Sequence, residues 1–270
     1  MATNVLELRR YNPAGSPAAL AERVSVTSRA DIAAAAALLG HAAHALGLRI
    51  MVWHDLASLE AMRDADGAPL NAGVFGWSTE ELAPWQCRDR MLGSPLLRAC
   101  RVESAPFRAS RNGIHTRWPN RLVAQIGLND FEGQAGMTAA IAIPVHLPFG
   151  QVGAAILTSI DGLADDLADI FADAVAALAP AAERFVRGYV MVSRDERYLP
   201  DDCLLTSREV ECLNWIAHGK TDFEIGIILG CSHAGVRYHV TRACTKLGAV
   251  NRAQSVFRAA QLGLLGEPAR

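Results

Sequence analysis

The last quarter of the chain carries explicit start and stop signals for four short helices. Thr206 and Thr221 are each followed three residues later by a glutamate, which is the capping-box pattern. In that pattern the hydroxyl and the carboxylate satisfy backbone amides that the first turn of a helix leaves free. Gly219, Gly230 and Gly248 stand at the far ends of the first three apolar repeats, where a left-handed residue closes a helix. These signals confine the segment to short helices separated by tight turns.

Ser232 and Asn251 supply the caps of the third and fourth helices. Apolar residues recur at helical spacing in all four, so each helix has one face to bury. The second and third helices are joined by Gly230, Cys231 and Ser232, which is typical of a helix-turn-helix whose second helix enters the major groove of DNA. We therefore predict an all-α four-helix domain over residues 204–266.

The charge of this segment favours the same interpretation. The whole chain has a formal net charge of −2, but residues 225–266 contain no Asp or Glu. The basic residues of that range are Arg237, Arg242, Lys246, Arg252 and Arg258. A surface of this kind attracts phosphates. A small helical bundle that binds protein is the alternative interpretation.

At these residues the chain resembles the DNA-binding domain of LuxR-type regulators, whose pattern is LTxRExxxLxxxAxGxTxxEIAxxLxxSxxTVxxHxxxxxxKLxxxxR. The matching anchors are Thr206, Arg208, Glu209, Leu213, Ala217, Gly219, Thr221, Glu224, Ile225, Leu229, Ser232, Val236, His239, Lys246, Leu247 and Arg252. Gly235 stands where the family has Thr, and it is a weaker helix former near the start of the recognition helix.

The resemblance implies a docking mode and, with it, a set of DNA contacts. From that mode and the face opposite Val236 and Val240, we predict that Arg237 and Thr241 face base edges. The predicted phosphate contacts are Lys220, Thr221, Ser232, Arg242, Lys246 and Arg252. His239 is a further candidate DNA contact that fits either set. A homodimer on an inverted repeat of double-stranded DNA is also expected, because one short recognition helix reads too few bases for selectivity.

Length and composition leave room for a second domain. The 270 residues, 51% hydrophobic and 20% charged, suit two globular domains. The six cysteines form no CxxC pair, which fits a reducing compartment better than disulfides or zinc. No apolar run reaches the roughly 20 residues that span a bilayer, and no nucleophile elbow, metal-ligand cluster or phosphate loop is present. We expect a cytoplasmic protein that is not an enzyme, holds no cofactor or metal and does not contact membranes.

The residues before the helical segment predict a mixed domain. The predicted helices cover residues 28–46, a capped stretch from Ser78, residues 118–126 and residues 165–190. The predicted strands are residues 48–53 and a buried hairpin of residues 139–147 and 152–160, while residues 67–76 form a loop or short strand. This order predicts an α/β/α sandwich with an antiparallel sheet, so that the fold class of the chain is α+β. The predicted organisation is an irregular arm 1–26, a sensor or dimerisation domain 27–192, a linker 193–203 and the helix-turn-helix domain 204–266.

The first domain is similar to the autoinducer-binding domain of LuxR-type proteins. The anchors are Pro95, Pro106, Phe107, Gly136, Pro144, Gly150 and Gly153. With Pro95 as the register, Ser94 stands where the family has an Asp that accepts from the amide of an acyl-homoserine lactone. Glu81 stands where the family has a Trp that donates to the lactone carbonyl. The resemblance further implies that Trp85, Ala109 and Ala140 replace a Tyr, a Trp and a Gly. The candidate ligand-lining residues are Trp77, Trp85, Ser94, Phe107, Ala109 and Ala140.

Three interpretations of this domain remain open. In the first, it senses a small molecule unlike a typical acyl-homoserine lactone, because the groups that would pair with the lactone carbonyl and amide are both replaced. In the second, Trp77, Trp85 and Phe107 fill the core, and the domain dimerises or meets a partner protein. In the third, the register is wrong and the chain is an ordinary lactone-dependent quorum-sensing regulator.

Overall fold

The computed structural model of the chain describes residues 16–128, 131–193 and 204–266. The chain separates into two compact units. Of the described residues, 16–147 and 151–193 belong to the N-terminal unit, and 204–266 together with Pro148–Gly150 belong to the C-terminal unit. Residues 1–15 of the predicted arm and residues 194–203 of the predicted linker lie outside the described residues.

The N-terminal unit mixes short helices with one sheet. Its described helices are α1 (Pro17–Arg23), α2 (Ile32–Ala45), α3 (Leu70–Gly73), α4 (Thr79–Gln86), α5 (Arg88–Gly93), α6 (Pro95–Val102), α7 (Arg121–Ala124), α8 (Phe131–Ala135) and α9 (Ala168–Ser193). Its described strands are β1 (Leu48–Trp53), β2 (Phe107–Ser110), β3 (Gly113–His115), β4 (Ala139–His146) and β5 (Val152–Ser159). The capping box predicted at Ser78 and Glu81 opens α4 and is confirmed.

The strands form one antiparallel sheet in the order β1-β5-β4-β2-β3. The predicted first strand and the predicted hairpin of β4 and β5 are confirmed, with Val145 opposite Gly153. Strands β2 and β3 were not predicted. They are only four and three residues long, which is too short for an alternating pattern to stand out in the sequence.

Side chains of the sheet alternate between two cores, as a strand requires. Ile50 and Val52 of β1 join a core covered by α1, α2 and α9, whereas Met51 and Trp53 point to the other face. The second cluster, called the Trp85 core below, is covered by α4 to α8 and contains Met51, Trp53, Trp77, Trp85, Met91, Leu96, Leu97, Phe107, Phe131, Ala109, Ala140, Ala142, Ala154 and Ile156 among others. Helices on both faces of an antiparallel sheet confirm the α/β/α sandwich.

Three predicted segments differ in the structure. Residues 17–23 of the predicted irregular arm form helix α1 instead, because Ser16 caps it and Pro17 occupies a first-turn position that tolerates proline. The helix predicted over residues 118–126 is limited to Arg121–Ala124, where Asn120 is the cap. The patch 67–76 contains the short helix α3 rather than a strand.

The last helix of the N-terminal unit also starts later than the predicted residue 165. Asp165 and Asp166 precede α9, which begins at Ala168. Asp166 instead binds Arg108 of β2 at 2.6 Å and accepts from the amide of Leu167 at 2.7 Å. Asp165 binds Arg111 at 3.1 Å. These two acids therefore pair with arginines just before the helix begins, and their side chains stay 42% (Asp166) and 70% (Asp165) exposed.

The C-terminal unit contains the four predicted helices, which are confirmed: α10 (Ser207–Ala217), α11 (Asp222–Leu229), α12 (His233–Lys246) and α13 (Arg252–Gln261). Each predicted N-cap, at Thr206, Thr221, Ser232 and Asn251, accepts a hydrogen bond from an amide of its own first turn. Gly230 adopts the left-handed conformation that ends α11, with φ of 63°.

Among the described residues, none of the helices combines the length and the apolar character needed to cross a bilayer. The same residues contain no group of three or more His, Cys, Asp or Glu side chains arranged to hold a metal ion.

Candidate functional site

Helix α12 presents one face to the core and the other to solvent. Val236 and Val240 are buried, together with Ala243 one turn further on, while Arg237 and Thr241 are exposed on the opposite side. The two predicted base contacts are thus brought together on one outward face. Their spacing of four residues places them one turn apart on that face.

Tyr238 shares this outward face and was missed by the sequence reasoning. Its side chain is 57% exposed, and the guanidinium of Arg242 lies 5.9 Å from its ring centre. His239, by contrast, is only partly exposed and meets the edge of Tyr238, with 5.5 Å between ring centres. The sequence offered a signal, because Tyr238 directly follows Arg237, which is predicted to face the DNA bases.

The turn between α11 and α12 is unusually close. The amide of Cys231 donates to the carbonyl of Gly226 at 2.9 Å. A Cβ added to Gly226 would stand 2.8 Å from the carbonyl oxygen of Cys231. The LuxR pattern has Ala where this chain has Gly226. This difference could have been seen in the sequence, but it was overlooked. The close approach fixes α12 relative to α11.

Two of the predicted phosphate contacts serve as caps in the free protein. Ser232 Oγ accepts from the amide of Gly235 at 3.1 Å. Thr221 Oγ1 accepts from the amide of Glu224 at 3.3 Å and donates to its carboxylate at 2.8 Å. Lys220, just before this cap, is partly exposed. These residues line the start of α11 and of α12.

Lys246 has an internal partner. Its ammonium group donates to the carboxylate of Glu209 and to the carbonyl of Leu204, at 2.9 Å each. The Glu209 side chain is only 2% exposed, and the guanidinium of Arg242 lies 3.7 Å from its second oxygen. Burial by itself raises the pKa of Glu209, but the hydrogen bonds from the Thr206 amide and the Lys246 ammonium hold that pKa below its usual value. The pair joins the first turn of α10 to the last turn of α12.

Arg252 meets an acid as well. Its guanidinium lies 3.2 Å from Asp222 Oδ1 with the geometry of an ion pair rather than a well-directed hydrogen bond. His233 Nε2 lies 3.8 Å from the other oxygen of Asp222. All six predicted phosphate contacts are exposed or partly exposed. In the protein without DNA, Lys246, Arg242 and Arg252 lie beside acids of the same unit, and Thr221 and Ser232 cap helices.

In the N-terminal unit, Trp77 and Glu81 have partners that fix their roles. The indole of Trp77 donates to the carbonyl of Ile50 at 2.7 Å, and the guanidinium of Arg49 lies 3.9 Å from its ring centre. Arg49 also binds Glu81 at 2.6 Å. The hydrogen bond from Arg49, opposed in part by burial, lowers the pKa of Glu81 to about 2. The single donor of Trp77 is therefore already used.

Trp85 and Ser94 differ in this respect. Both are buried, and neither Trp85 Nε1 nor Ser94 Oγ has a hydrogen-bond partner among the residues that the structure describes. Trp53 Nε1 is in the same condition, and its ring stacks on that of Trp85 with 5.6 Å between centres and 14° between planes. An unpaired buried donor costs about 1–3 kcal/mol. Trp53 was not among the sequence candidates, because a tryptophan at the end of a strand is typical of an ordinary core.

The remaining ligand candidates lie on the sheet beneath these rings. Phe107 and Ala109 of β2 pair with Ala142 and Ala140 of β4, and all four side chains belong to the Trp85 core. With Ala154 of β5, the sheet face is largely made of small residues. The bulk of this core therefore comes from the helices and from the stacked indoles.

Comparison with known proteins bears on the C-terminal unit. Residues 204–259 match the model of the bacterial regulatory proteins of the luxR family. The C-terminal unit is a LuxR-family regulatory domain.

Two relatives carry the same kind of name. The transcriptional activator protein VanR of Vibrio anguillarum is 32% identical over 124 residues, which are 46% of this chain and 50% of VanR. The transcriptional activator protein AhyR of Aeromonas hydrophila is 30% identical over 178 residues, 63% of this chain and 64% of AhyR. The chain thus spans about half to under two thirds of the length of these relatives. The crystal structure of Escherichia coli SdiA aligns over 97% of this chain and 96% of its own, with 18% identity and a TM-score of 0.42.

In the LuxR-family domain, the residues that the structure brings together form two groups. Arg237, Tyr238 and Thr241 make the outward face of α12. The second group lies at the helix starts and includes Thr221, the cap of α11, and Arg252, the first residue of α13. The sequence reasoning found most of both groups, but it gave no hint of the acids that hold Lys246 and Arg252.

Proposed function

We propose that this chain is a transcriptional regulator that binds double-stranded DNA by laying α12 in the major groove. The observation that carries the proposal is the outward face of Arg237, Tyr238 and Thr241, opposite the buried Val236 and Val240. Residues 225–266 add no acid to this surface. Arginine reads guanine in the major groove, and an aromatic or threonine methyl group can meet the methyl of thymine. We assign no catalysis to the chain and place its action in the cytoplasm.

We further propose that two copies bind an inverted repeat. One recognition helix contacts only a few base pairs, and twofold pairing doubles the site. Two large apolar residues are exposed in this part of the unit: Val250, in the turn before helix α13, is 86% exposed, and Phe257, on that helix, is 60% exposed. These two exposed apolar side chains are the candidate contacts with a second copy.

Unbiased selection from a pool of random duplexes, using the full chain, tests this function. Selected sites are expected to share a palindrome, and a complex of two chains per duplex is expected by light scattering. Enrichment of no sequence, or of a single half-site bound by one chain, contradicts the dimeric regulator. The variant Phe257→Ser is the matched probe of pairing, since its side chain is exposed and its loss leaves the core intact.

For the N-terminal unit, we propose that the Trp85 core binds an uncharged small molecule with acceptor oxygens. Trp53 Nε1 and Trp85 Nε1 are donors without partners among the described residues, and Ser94 Oγ is a third polar group in the same condition. The core itself is apolar, and the nearby charges of Arg49 and Glu81 neutralise each other. A charged ligand would be costly to bury there. A carbonyl compound would satisfy the indoles at no such cost.

This ligand is not expected to be a typical acyl-homoserine lactone. Glu81, at the position of the family's lactone donor, is bound to Arg49 and has no hydrogen to give. Ser94, at the position of the family's Asp, offers a hydroxyl instead of a carboxylate to the lactone amide. Soluble protein is therefore expected without any additive.

Thermal denaturation with matched probes separates the interpretations. A methyl ketone, a fatty acid and an alkane of one chain length are tested beside a series of acyl-homoserine lactones. A ligand bound by the folded state alone adds about 2.7 kcal/mol of stability at a hundredfold excess over Kd. The ketone is expected to raise Tm more than the acid or the alkane, and Ser94→Ala and Trp85→Phe are expected to reduce that rise. A rise with lactones alone makes the chain an ordinary quorum sensor, and no rise with any probe favours a filled domain controlled by a partner protein.

A further inference from the structure

Three helices of the C-terminal unit begin at residues that meet around one carboxylate. Asp222, His233 and Arg252 are the first residues of α11, α12 and α13. The Asp222 carboxylate lies 3.2 Å from the Arg252 guanidinium and 3.8 Å from His233 Nε2. The Asp222 side chain is 18% exposed, against 46% for Arg252 and 54% for His233. The acid therefore sits beneath two nitrogen-bearing groups that reach solvent.

This acid lies within the surface to which we assign phosphate contacts. Thr221 precedes it in the chain, Arg252 is one of the assigned contacts, and His233 opens the helix that enters the groove. Glu224, two residues on, is bound in the capping box of Thr221. Asp222 has no such cap role, since its contacts with Arg252 and His233 cross to other helices.

We propose that Asp222 competes with DNA phosphate for Arg252 and His233, and so limits the sequence-independent part of DNA binding. The inference rests on the proposed DNA-binding function. A guanidinium attracts a carboxylate and a phosphate alike, so the ion pair with Asp222 occupies the same group that a phosphate would use. Arg252 cannot serve both at full strength, and a phosphate that approaches Arg252 also approaches the negative charge of Asp222. A weaker contact between Arg252 and phosphate lowers the affinity for DNA of any sequence. This matters because the many non-specific sites of a genome compete with the specific site.

Replacement of Asp222 by Asn in the full chain tests the proposal, because Asn removes the charge and keeps the size. The affinity for a random-sequence duplex is measured at several salt concentrations. We expect the variant to bind about two- to fivefold more tightly per subunit at low salt, the range of an exposed ion pair. The dependence of log K on log salt is expected to steepen by about one for each additional phosphate that the variant neutralises.

Two controls isolate the mechanism. Glu211→Gln also removes one negative charge, but Glu211 pairs with Arg208 on α10 at 3.0 Å, so its effect is expected to be smaller. The double variant Asp222→Asn with Arg252→Ala is expected to lose most of the increase in affinity. Asp222→Ser provides a second way to remove the charge.

The outcomes are distinct. Binding by Asp222→Asn that is weaker than, or equal to, that of the natural chain overturns the proposal, as does an equal increase in affinity with Glu211→Gln. If both substitutions at Asp222 unfold the unit, the acid is structural and the proposal is also overturned. If the natural chain binds no duplex even at low salt, the proposed DNA-binding function fails instead.

Discussion

The two units satisfy their buried polar groups in different ways. In the C-terminal unit, the carboxylate of Glu209 is almost fully buried and is held by an amide and a lysine, and the hydroxyl of Ser255 donates to a backbone carbonyl at 2.8 Å. In the Trp85 core, Trp53, Trp85 and Ser94 carry polar atoms with no partner among the described residues. In the C-terminal unit, Asp222 Oδ1 is also without a hydrogen bond among the described residues, but it lies 3.2 Å from the Arg252 guanidinium in an ion pair. This unit carries its proposed DNA contacts on its surface. The N-terminal unit keeps hydrogen-bonding capacity inside, where a bound molecule would use it.

The largest expected effect comes from Lys246, which completes the interior of the C-terminal unit. Lys246→Ala leaves the Glu209 carboxylate buried with a weaker partner, so the unit is expected to lose about 2–3 kcal/mol of unfolding free energy. Hydrogen exchange of peptides from α10 and α12 measures this loss. The control Arg208→Ala breaks only an exposed pair with Glu211, and is expected to cost less than about 0.5 kcal/mol. If both substitutions lower the unfolding free energy equally, Lys246 does not stabilise the buried Glu209 carboxylate, and the contrast between the two units fails.

The same carboxylate sets a dependence on pH. The pKa of Glu209 is lowered from 4.5 in the folded state. Its contribution to stability is therefore fully present above pH 4.5 and is lost as the pH falls through the lowered folded pKa. Protection of α10 is expected to decline over that acid range. The variant Glu209→Gln should flatten the decline, and an unchanged pH profile would show that Glu209 is not the responsible group.

The space around Gly153 in the N-terminal unit differs from that around Gly235 in the C-terminal unit. A Cβ at Gly153 would stand 2.6 Å from the carbonyl oxygen of Trp53 and 3.1 Å from Val186. A Cβ at Gly235 would meet only Ser232 Oγ at 3.4 Å and Cys231 at 3.9 Å. Gly153→Ala is expected to destabilise the N-terminal unit by about 1–3 kcal/mol. Gly235→Ala should stabilise α12 by up to about 1 kcal/mol through helix propensity. Thermal melts of both variants check the opposite signs.

Two buried serines give the smallest but most direct comparison. Ser94 and Ser255 are both fully buried, yet Ser255 Oγ has a partner and Ser94 Oγ has none among the described residues. Ser255→Ala is expected to cost about 1 kcal/mol, whereas Ser94→Ala is expected to be neutral or stabilising in the protein without ligand. Chemical denaturation of the two variants decides the matter. A clear loss of stability in Ser94→Ala would mean that its hydroxyl is already satisfied.

Local signals in the sequence predicted much of the fold. The capping boxes at Thr206 and Thr221 fixed the starts of α10 and α11, because a cap depends on residues only three positions apart. The apolar runs of β4 and β5 likewise predicted the central hairpin. Strand β2 escaped because four residues carry no clear period. Helix α1 escaped because its seven residues are too few to show a sustained helical period.

Long-range partners were beyond the same reasoning. Lys246 matches a family anchor and is predicted to hold phosphate, but its bond to Glu209 joins residues 37 positions apart. Trp77 was predicted to line a ligand site, yet its indole donates to a strand carbonyl 27 residues away. Only the folded chain shows which polar groups are already occupied. Trp53 became a candidate for the same reason.

The most direct test of the central claim compares Arg237→Ala with Arg242→Ala on the selected DNA site and on a random duplex. Arg237 stands on the outward face of α12, while Arg242 flanks it and is assigned to phosphate. Arg237→Ala is expected to weaken binding to the selected site by about 1–3 kcal/mol, to relax preference at one base pair and to change random binding little. Arg242→Ala is expected to weaken both duplexes alike and to reduce the salt dependence. If both variants weaken the two duplexes equally, α12 does not read sequence through Arg237, and the account of this chain as a major-groove regulator is contradicted.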